Sequence, residues 1–228
     1  MESLTIWEVF ERSRKFFYEK PAVVFVRDTG KQVTNDYQRV LCEAEWLSGV
    51  LVNRLIAKGD RVCISMPNSS RLIGLYLALS RIGAVSVLLN PALPQERTEK
   101  IVKNTSSKLL ASTDETSRLY LSSNWPETHP HRAHQESLRS EDTAAILYSS
   151  GTTGEQKGAE LTVSNIYNNI KYTSALTGMM PDDRLICFLP LTHCFGLNFI
   201  LGASLYTGST LVLHEKFDLQ QVLDLLNL

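Results

Sequence analysis

This sequence carries little excess charge of either sign. Lysine and arginine total 23 against 24 aspartates and glutamates in 228 residues, a formal net charge of −1. The two signs are interspersed along the chain. No basic face is available to neutralise the phosphates of a nucleic acid, and no charged tail is present. Cysteine is also scarce, with four in all: Cys42, Cys63, Cys187 and Cys194. None forms a CxxC pair, so they read as reduced core thiols of a cytoplasmic protein rather than a disulfide framework or a metal site. The opening Met1-Glu2-Ser3-Leu4 lacks a positive segment followed by an apolar run, which argues against a secretory signal. No apolar run is long enough to cross a bilayer, and no internal repeat or heptad array is visible. The stretch His129-Pro130-His131-Arg132-Ala133-His134 has no standard ligand spacing and no cysteine nearby. It reads as an exposed loop, and no metal site is expected there.

Apolar residues make up 43% of the chain, enough for a real core. The length suits one sizeable α/β domain, or one domain and part of another. Ile6, Val9, Phe10, Ser13 and Phe17 share one face at helical spacing, and Pro21 ends that segment. Residues 22–26 form a strand candidate, followed by the turn signal Asp28-Thr29-Gly30. A long amphipathic helix is expected next, with Tyr37, Leu41, Ala44, Leu47 or Ser48, Leu51 and Leu55 as its buried stripe and Gly59 as its stop. A strand over 61–66, the turn Pro67-Asn68-Ser69-Ser70, an almost wholly apolar helix over 72–82 and a strand over 85–89 make a βαβ unit. Such a unit implies parallel strands joined by a right-handed crossover.

A helix over 96–104 and a strand over 108–112 follow. Residues 113–142 are rich in Ser, Thr, Glu, Pro and His and read as a surface excursion. Order resumes with a strand over 144–149, a polar loop and a helix over 162–177 stopped by Gly178. A strand over 185–189, a helical stretch over 196–206, a strand over 210–213 and a helix over 218–226 complete the chain. Because it closes on Leu225-Leu226-Asn227-Leu228 within an amphipathic helix, the expectation is a cut through a domain.

The chemistry concentrates in Tyr148-Ser149-Ser150-Gly151-Thr152-Thr153-Gly154-Glu155-Gln156-Lys157-Gly158. Glycines let a backbone approach an anion closely, and successive N–H groups and hydroxyls can cradle phosphate oxygens. Lysine adds a point charge. The stretch is not a Walker A loop, because Gly158 rather than Ser or Thr follows Lys157 and the glycine spacing differs.

This stretch is similar to the phosphate-binding signature of the adenylate-forming superfamily, which includes acyl- and aryl-CoA synthetases, luciferases and adenylation domains. The signature matches at Tyr148, Ser149, Ser150, Gly151, Thr152, Thr153, Gly154, Lys157 and Gly158. Gln156 stands where proline is usual, and Leu161-Thr162-Val163-Ser164-Asn165 stands where the family usually has histidine as its third residue. Gly59-Asp60-Arg61-Val62, Pro67-Asn68-Ser69, Arg81-Ile82-Gly83-Ala84-Val85 and Asn90-Pro91 follow the family's order. Leu189-Pro190-Leu191-Thr192-His193-Cys194-Phe195-Gly196 resembles its substrate-side histidine motif. A histidine at that place tilts the resemblance toward acyl or aryl acids and away from amino acids.

The resemblance implies an α/β fold with layered, mixed, largely parallel sheets flanked by helices, present as an incomplete N-terminal domain. It implies a first subdomain over 1–180 that includes the phosphate loop, and the start of a second over 181–228. The implied reaction activates a small-molecule carboxylic acid, fatty or aryl, with ATP to an acyl-adenylate and pyrophosphate, and the thiol of coenzyme A then displaces AMP, with Mg2+ at the phosphates. Ser149, Ser150, Gly151, Thr152, Thr153, Gly154 and Lys157 are the expected phosphate-binding residues. His193, Phe195 and Gly196 are the expected acid-pocket residues. The catalytic set is incomplete, because the family's later adenine, ribose and Mg2+ motifs and its C-terminal lysine are not in these residues. Alternatives are a non-catalytic or split-enzyme subunit that self-associates or pairs with the missing half, and a fatty acyl-AMP ligase that loads a carrier protein.

Overall fold

The computed structural model describes residues 3–113, 119–120, 133–149 and 157–226. Thr5 starts the first helix, α1 (Ile6–Phe17), with a reciprocal cap: its side chain accepts from Glu8 N–H, and Glu8 returns a bond to Thr5 N–H. Strand β1 (Pro21–Val26) turns at Asp28–Gly30 into β2 (Gln32–Asp36), which pairs with it antiparallel. The almost wholly polar sequence of β2 hid this strand from the periodicity argument. Asp36 then caps α2 (Tyr37–Asn53) by accepting from Arg39 N–H at 2.6 Å.

Leu55 does not join the buried stripe of α2. The helix ends at Asn53, Leu55 adopts a φ of 60° and is 82% exposed, and Ile56 takes the core position. Termination is local: the N–H groups of Arg54, Leu55 and Ile56 fold back onto the carbonyls of Leu51 and Val52. Gly59 belongs instead to the turn that enters β3.

Strand β3 (Arg61–Ser65), α3 (Ser70–Arg81) and β4 (Val85–Leu88) form the expected βαβ unit, with β3 and β4 paired parallel. Helix α3 is buried on almost every side, which explains its nearly continuous apolar sequence. Helix α4 (Gln95–Asn104) and β5 (Leu109–Ser112) follow, and β6 (Leu119–Tyr120) extends the sheet edge beside β5. In the stretch read as a surface excursion, Ala133 is buried, Gln135 accepts from the Trp7 indole, and Glu136 N–H donates to Arg81 O. His129 and His131 lie outside the described residues.

Strand β7 (Thr143–Ser149) adds to β4 in parallel, and β8 (Lys157–Thr162) returns antiparallel along it. Helix α5 (Val163–Thr177) is capped by Thr162, which accepts from Asn165 N–H while Asn165 accepts from Thr162 N–H. Strand β9 (Arg184–Cys187), a π-helical segment Phe195–Gly202, α6 (Ala203–Thr207), β10 (Thr210–His214) and α7 (Leu219–Leu226) complete the described chain.

Two sheets result, in the orders β2-β1-β10-β9 and β6-β5-β3-β4-β7-β8, parallel except for the β1–β2 and β7–β8 pairs. The first sheet joins strands from either side of residue 180. One large apolar cluster draws on both sheets and on α1, α2, α3 and α5, including Phe10, Val23, Leu47, Ile64, Leu77, Ile166 and Leu213. The far face of the six-stranded sheet, with Cys63, Val85 and Val87, packs against Ile101 of α4. No helix among the described residues is long and apolar enough to cross a membrane.

Candidate ligand site at the carboxyl edge of the sheets

Strands β3, β4, β5 and β7 run parallel, so Ser65, Leu88, Ser112 and Ser149 end at one edge of the six-stranded sheet. In open α/β sheets this edge is where ligands bind. Ser149 pairs with Lys157 and Tyr148 with Gly158, so the hydroxyl- and glycine-rich stretch connects two antiparallel strands at that edge. Residues expected to be a polar loop through Gly158 and beyond are therefore strand from Lys157 onward. The pattern Lys-Gly-Ala-Glu carries no apolar alternation because this edge strand is exposed. The candidate phosphate ligands Ser150, Gly151, Thr152, Thr153 and Gly154, and also Gln156, lie outside the described residues. Lys157 is exposed at the mouth of the connection.

Gly158 has a steric reason. A Cβ there would stand 3.0 Å from both Ile146 Cγ2 and Tyr148 Cζ, because the tyrosine ring lies across the glycine. Burial raises the Tyr148 hydroxyl above the ordinary tyrosine pKa, with Cys63 a lesser cause. This phenol therefore stays protonated at neutral pH.

His193, Phe195 and Gly196 come together in one turn after β9. His193 N–H donates to Pro190 O at 3.0 Å, Leu197 N–H donates to His193 O at 3.0 Å, and Phe195 N–H donates to His193 Nδ1 at 3.3 Å. With Nδ1 accepting, a neutral ring carries its proton on Nε2, which becomes a donor on an exposed imidazole. Phe195, 44% exposed, stacks on Phe199 with ring centroids 4.4 Å apart and planes 13° apart. The π-helical winding brings the two rings over one another, where sequence reasoning expected an ordinary helix; such segments recur at functional sites. Gly196 is demanded by contact: a Cβ would meet Pro190 O at 2.6 Å and Leu189 O at 3.2 Å.

Beside this turn Cys194 is exposed, with its Sγ 3.8 Å from His193 Nδ1. It is not the core thiol expected, because the turn directs it outward. Cys63 and Cys187 are buried, and burial pushes the Cys187 thiol up to about 12.

A residue to which sequence reasoning gave no role anchors the turn. Asn68 Nδ2 donates to Leu189 O and to His214 O, each at 3.0 Å, and Asn68 Oδ1 accepts from Leu191 N–H at 2.9 Å. Its place within Pro67-Asn68-Ser69 was the available signal, but that segment read as a turn and as part of the family's order, with no role given to Asn68. Among the described residues no group of three or more His, Cys, Asp or Glu gathers to hold a metal.

Two mixed sheets with a histidine turn at the carboxyl edge make an α/β fold with a candidate ligand site at that edge. The chain belongs to the AMP-binding enzyme family, whose model matches residues 10–227. It is 28% identical to 4-coumarate–CoA ligase 3 of Arabidopsis thaliana over 91% of this chain and 41% of that protein. It is 31% identical to 2-succinylbenzoate–CoA ligase of Bacillus pumilus over 79% of this chain and 39% of that protein. The chain thus spans about two fifths of the curated relatives it matches. Among solved structures it resembles O-succinylbenzoate coenzyme A synthetase from Bacillus subtilis in complex with AMP. The TM-score is 0.85 at 22% identity, covering 99% of this chain and 59% of that one. It also resembles apo MatB from Rhodopseudomonas palustris, with a TM-score of 0.84 at 24% identity, covering 98% of this chain and 48% of that one. These likenesses match the expected N-terminal, layered, largely parallel fold.

Proposed function

We propose that these residues form the phosphate- and acid-binding part of an acid–CoA ligase whose substrate is a small aromatic carboxylic acid. The observation that carries this reading is the β7–β8 connection. It sets Ser149 and Lys157, the two residues that bracket the hydroxyl- and glycine-rich stretch, at the carboxyl edge of a parallel sheet that also holds, through Asn68, the His193 turn.

In the first step a carboxylate oxygen attacks the α-phosphorus of ATP, and the bond to pyrophosphate breaks. The obstacle is the approach of two anions. Backbone N–H groups and hydroxyls of the connection, with Lys157, offset charge on the β- and γ-phosphates and stabilise the leaving pyrophosphate. His193 Nε2–H orients the carboxylate, and the Phe195–Phe199 stack offers a flat apolar wall. That wall and the aryl acids in the relatives' names favour an aromatic acid over a fatty one. In the second step the thiol of coenzyme A attacks the acyl carbonyl and displaces AMP. Mg2+, when bound, would supply further charge neutralisation at the phosphates.

The catalytic set is incomplete in these residues, so nucleotide binding is expected with little or no turnover. Calorimetry with ATP and AMP, and pyrophosphate release with 4-coumarate, benzoate and a fatty acid, test this. Failure to bind nucleotide overturns the site. Robust turnover by the 228 residues overturns the incompleteness.

A second reading, a subunit working with another polypeptide, is favoured by the exposure of Leu219, Leu223 and Leu226 along α7. A clean monomer by size-exclusion chromatography disfavours it.

A further inference from the structure

We propose that Asn68 is the positioning residue of the acid site, setting the His193 turn against the carboxyl edge of the six-stranded sheet; this rests on the reading that His193 meets the acid. Its carboxamide is buried and nearly saturated. Both Nδ2 protons are used, on Leu189 O and His214 O, and Oδ1 takes Leu191 N–H.

These three partners have different origins. Leu189 and Leu191 flank Pro190, whose carbonyl in turn accepts from His193 N–H and sets the closest approach of Gly196. His214 is the last residue of β10, in the four-stranded sheet. Asn68 itself lies just after β3 and just before Ser69, which caps α3 by accepting from Leu72 N–H at 3.2 Å. One side chain therefore joins the end of β3, the end of β10 and the base of the histidine turn.

The chemistry at position 68 is restrictive. Two carbonyls and one N–H converge there, so the side chain must donate twice and accept once. Only an amide of this length meets that requirement. Aspartate keeps the shape and the acceptor but loses both donors and points a carboxylate at two carbonyl oxygens. The turn would then be free to move by fractions of an ångström while the sheets remain formed, and misplacement on that scale is what an orienting group cannot tolerate. Asn68 touches neither acid nor nucleotide in this account; it acts through the backbone of residues 189–191.

The test uses the full chain with 13C-labelled histidine. The His193 Cε1–H signal is assigned with His193→Gln and followed as AMP and 4-coumarate are added. Asn68→Asp is expected to move that signal and to abolish its response to 4-coumarate, with AMP binding by calorimetry unchanged. The control is Ile101→Ala, which opens the cluster under α4 on the far face of the sheet and leaves the turn untouched. It should lower thermal stability and keep the signal and its response. If Asn68→Asp leaves the His193 signal as unmoved as Ile101→Ala does, the proposal is overturned. If Asn68→Asp moves the signal but 4-coumarate never perturbs it in the wild type, the turn is held by Asn68 and the acid-site reading fails instead. Asn68→Ser, smaller and uncharged, carries the same comparison should the aspartate variant not fold.

Discussion

Ser149 and Lys157 face each other across the antiparallel pair of β7 and β8. The lysine is therefore fixed by strand pairing at the base of the glycine-rich connection rather than carried on the connection itself. A backbone held in a ladder gives the Lys157 side chain a defined origin at that edge.

Lys157→Ala should weaken ATP binding by about tenfold, the scale of one charge-assisted contact, and leave AMP binding nearly unchanged. Because Lys157 is exposed, stability should change by less than about 0.5 kcal/mol. Calorimetry with each nucleotide at two salt concentrations checks both points. Equal losses for ATP and AMP would remove Lys157 from the phosphates.

Gly196→Ala forces a methyl to within 2.6 Å of the Pro190 carbonyl. The expected cost is about 1–3 kcal/mol, because backbone rather than a flexible side chain must give way. Thermal denaturation reads the loss. Acid binding should suffer more than nucleotide binding, since the strained atoms are those beneath His193.

His214 gives a pH dependence of known sign. Its ring is fully buried, neither nitrogen has a partner among the described residues, and burial lowers its pKa against a smaller opposing effect from Asp218. Above 6.5 both folded and unfolded forms are neutral and the full stability is present. As pH falls below 6.5 the unfolded chain takes up the proton first, so stability declines until the lowered folded value is reached. His214→Leu should remove this component. A melting temperature that falls equally in wild type and variant between pH 7.5 and 5 would refute the assignment.

The four cysteines should separate by reactivity. A thiol reagent should modify exposed Cys194 first and half-buried Cys42 next. Cys63 and Cys187, buried and raised in pKa, should react only on unfolding. Saturating acid and AMP should slow Cys194, its neighbour His193 being occupied; unchanged labelling rates would count against an acid beside that turn.

The helices and buried strands were legible because each carries its own period. Ile6 to Phe17, the apolar run of α3 and the β3–α3–β4 unit fall where spacing puts them. Strands β2 and β8 were not legible. Neither has a buried residue, and they exist because β1 and β7 offer backbone partners, which no local pattern of Gln32–Asp36 or Lys157–Thr162 announces. Leu55 was lost from its stripe for a related reason, the helix having already turned.

The sequence by itself determined the family and the chemistry available at the edge, since glycines, hydroxyls, Lys157 and His193 carry their reactivity wherever they are placed. Only the tertiary structure decided how Lys157 and the His193 turn are held. Asn68 meets residues 189–191 and 214 across more than a hundred positions of chain, and Phe195 meets Phe199 through a π-helical turn. Hydrogen bonds between distant segments form only when two sheets share one core, and that packing is not written in any local stretch.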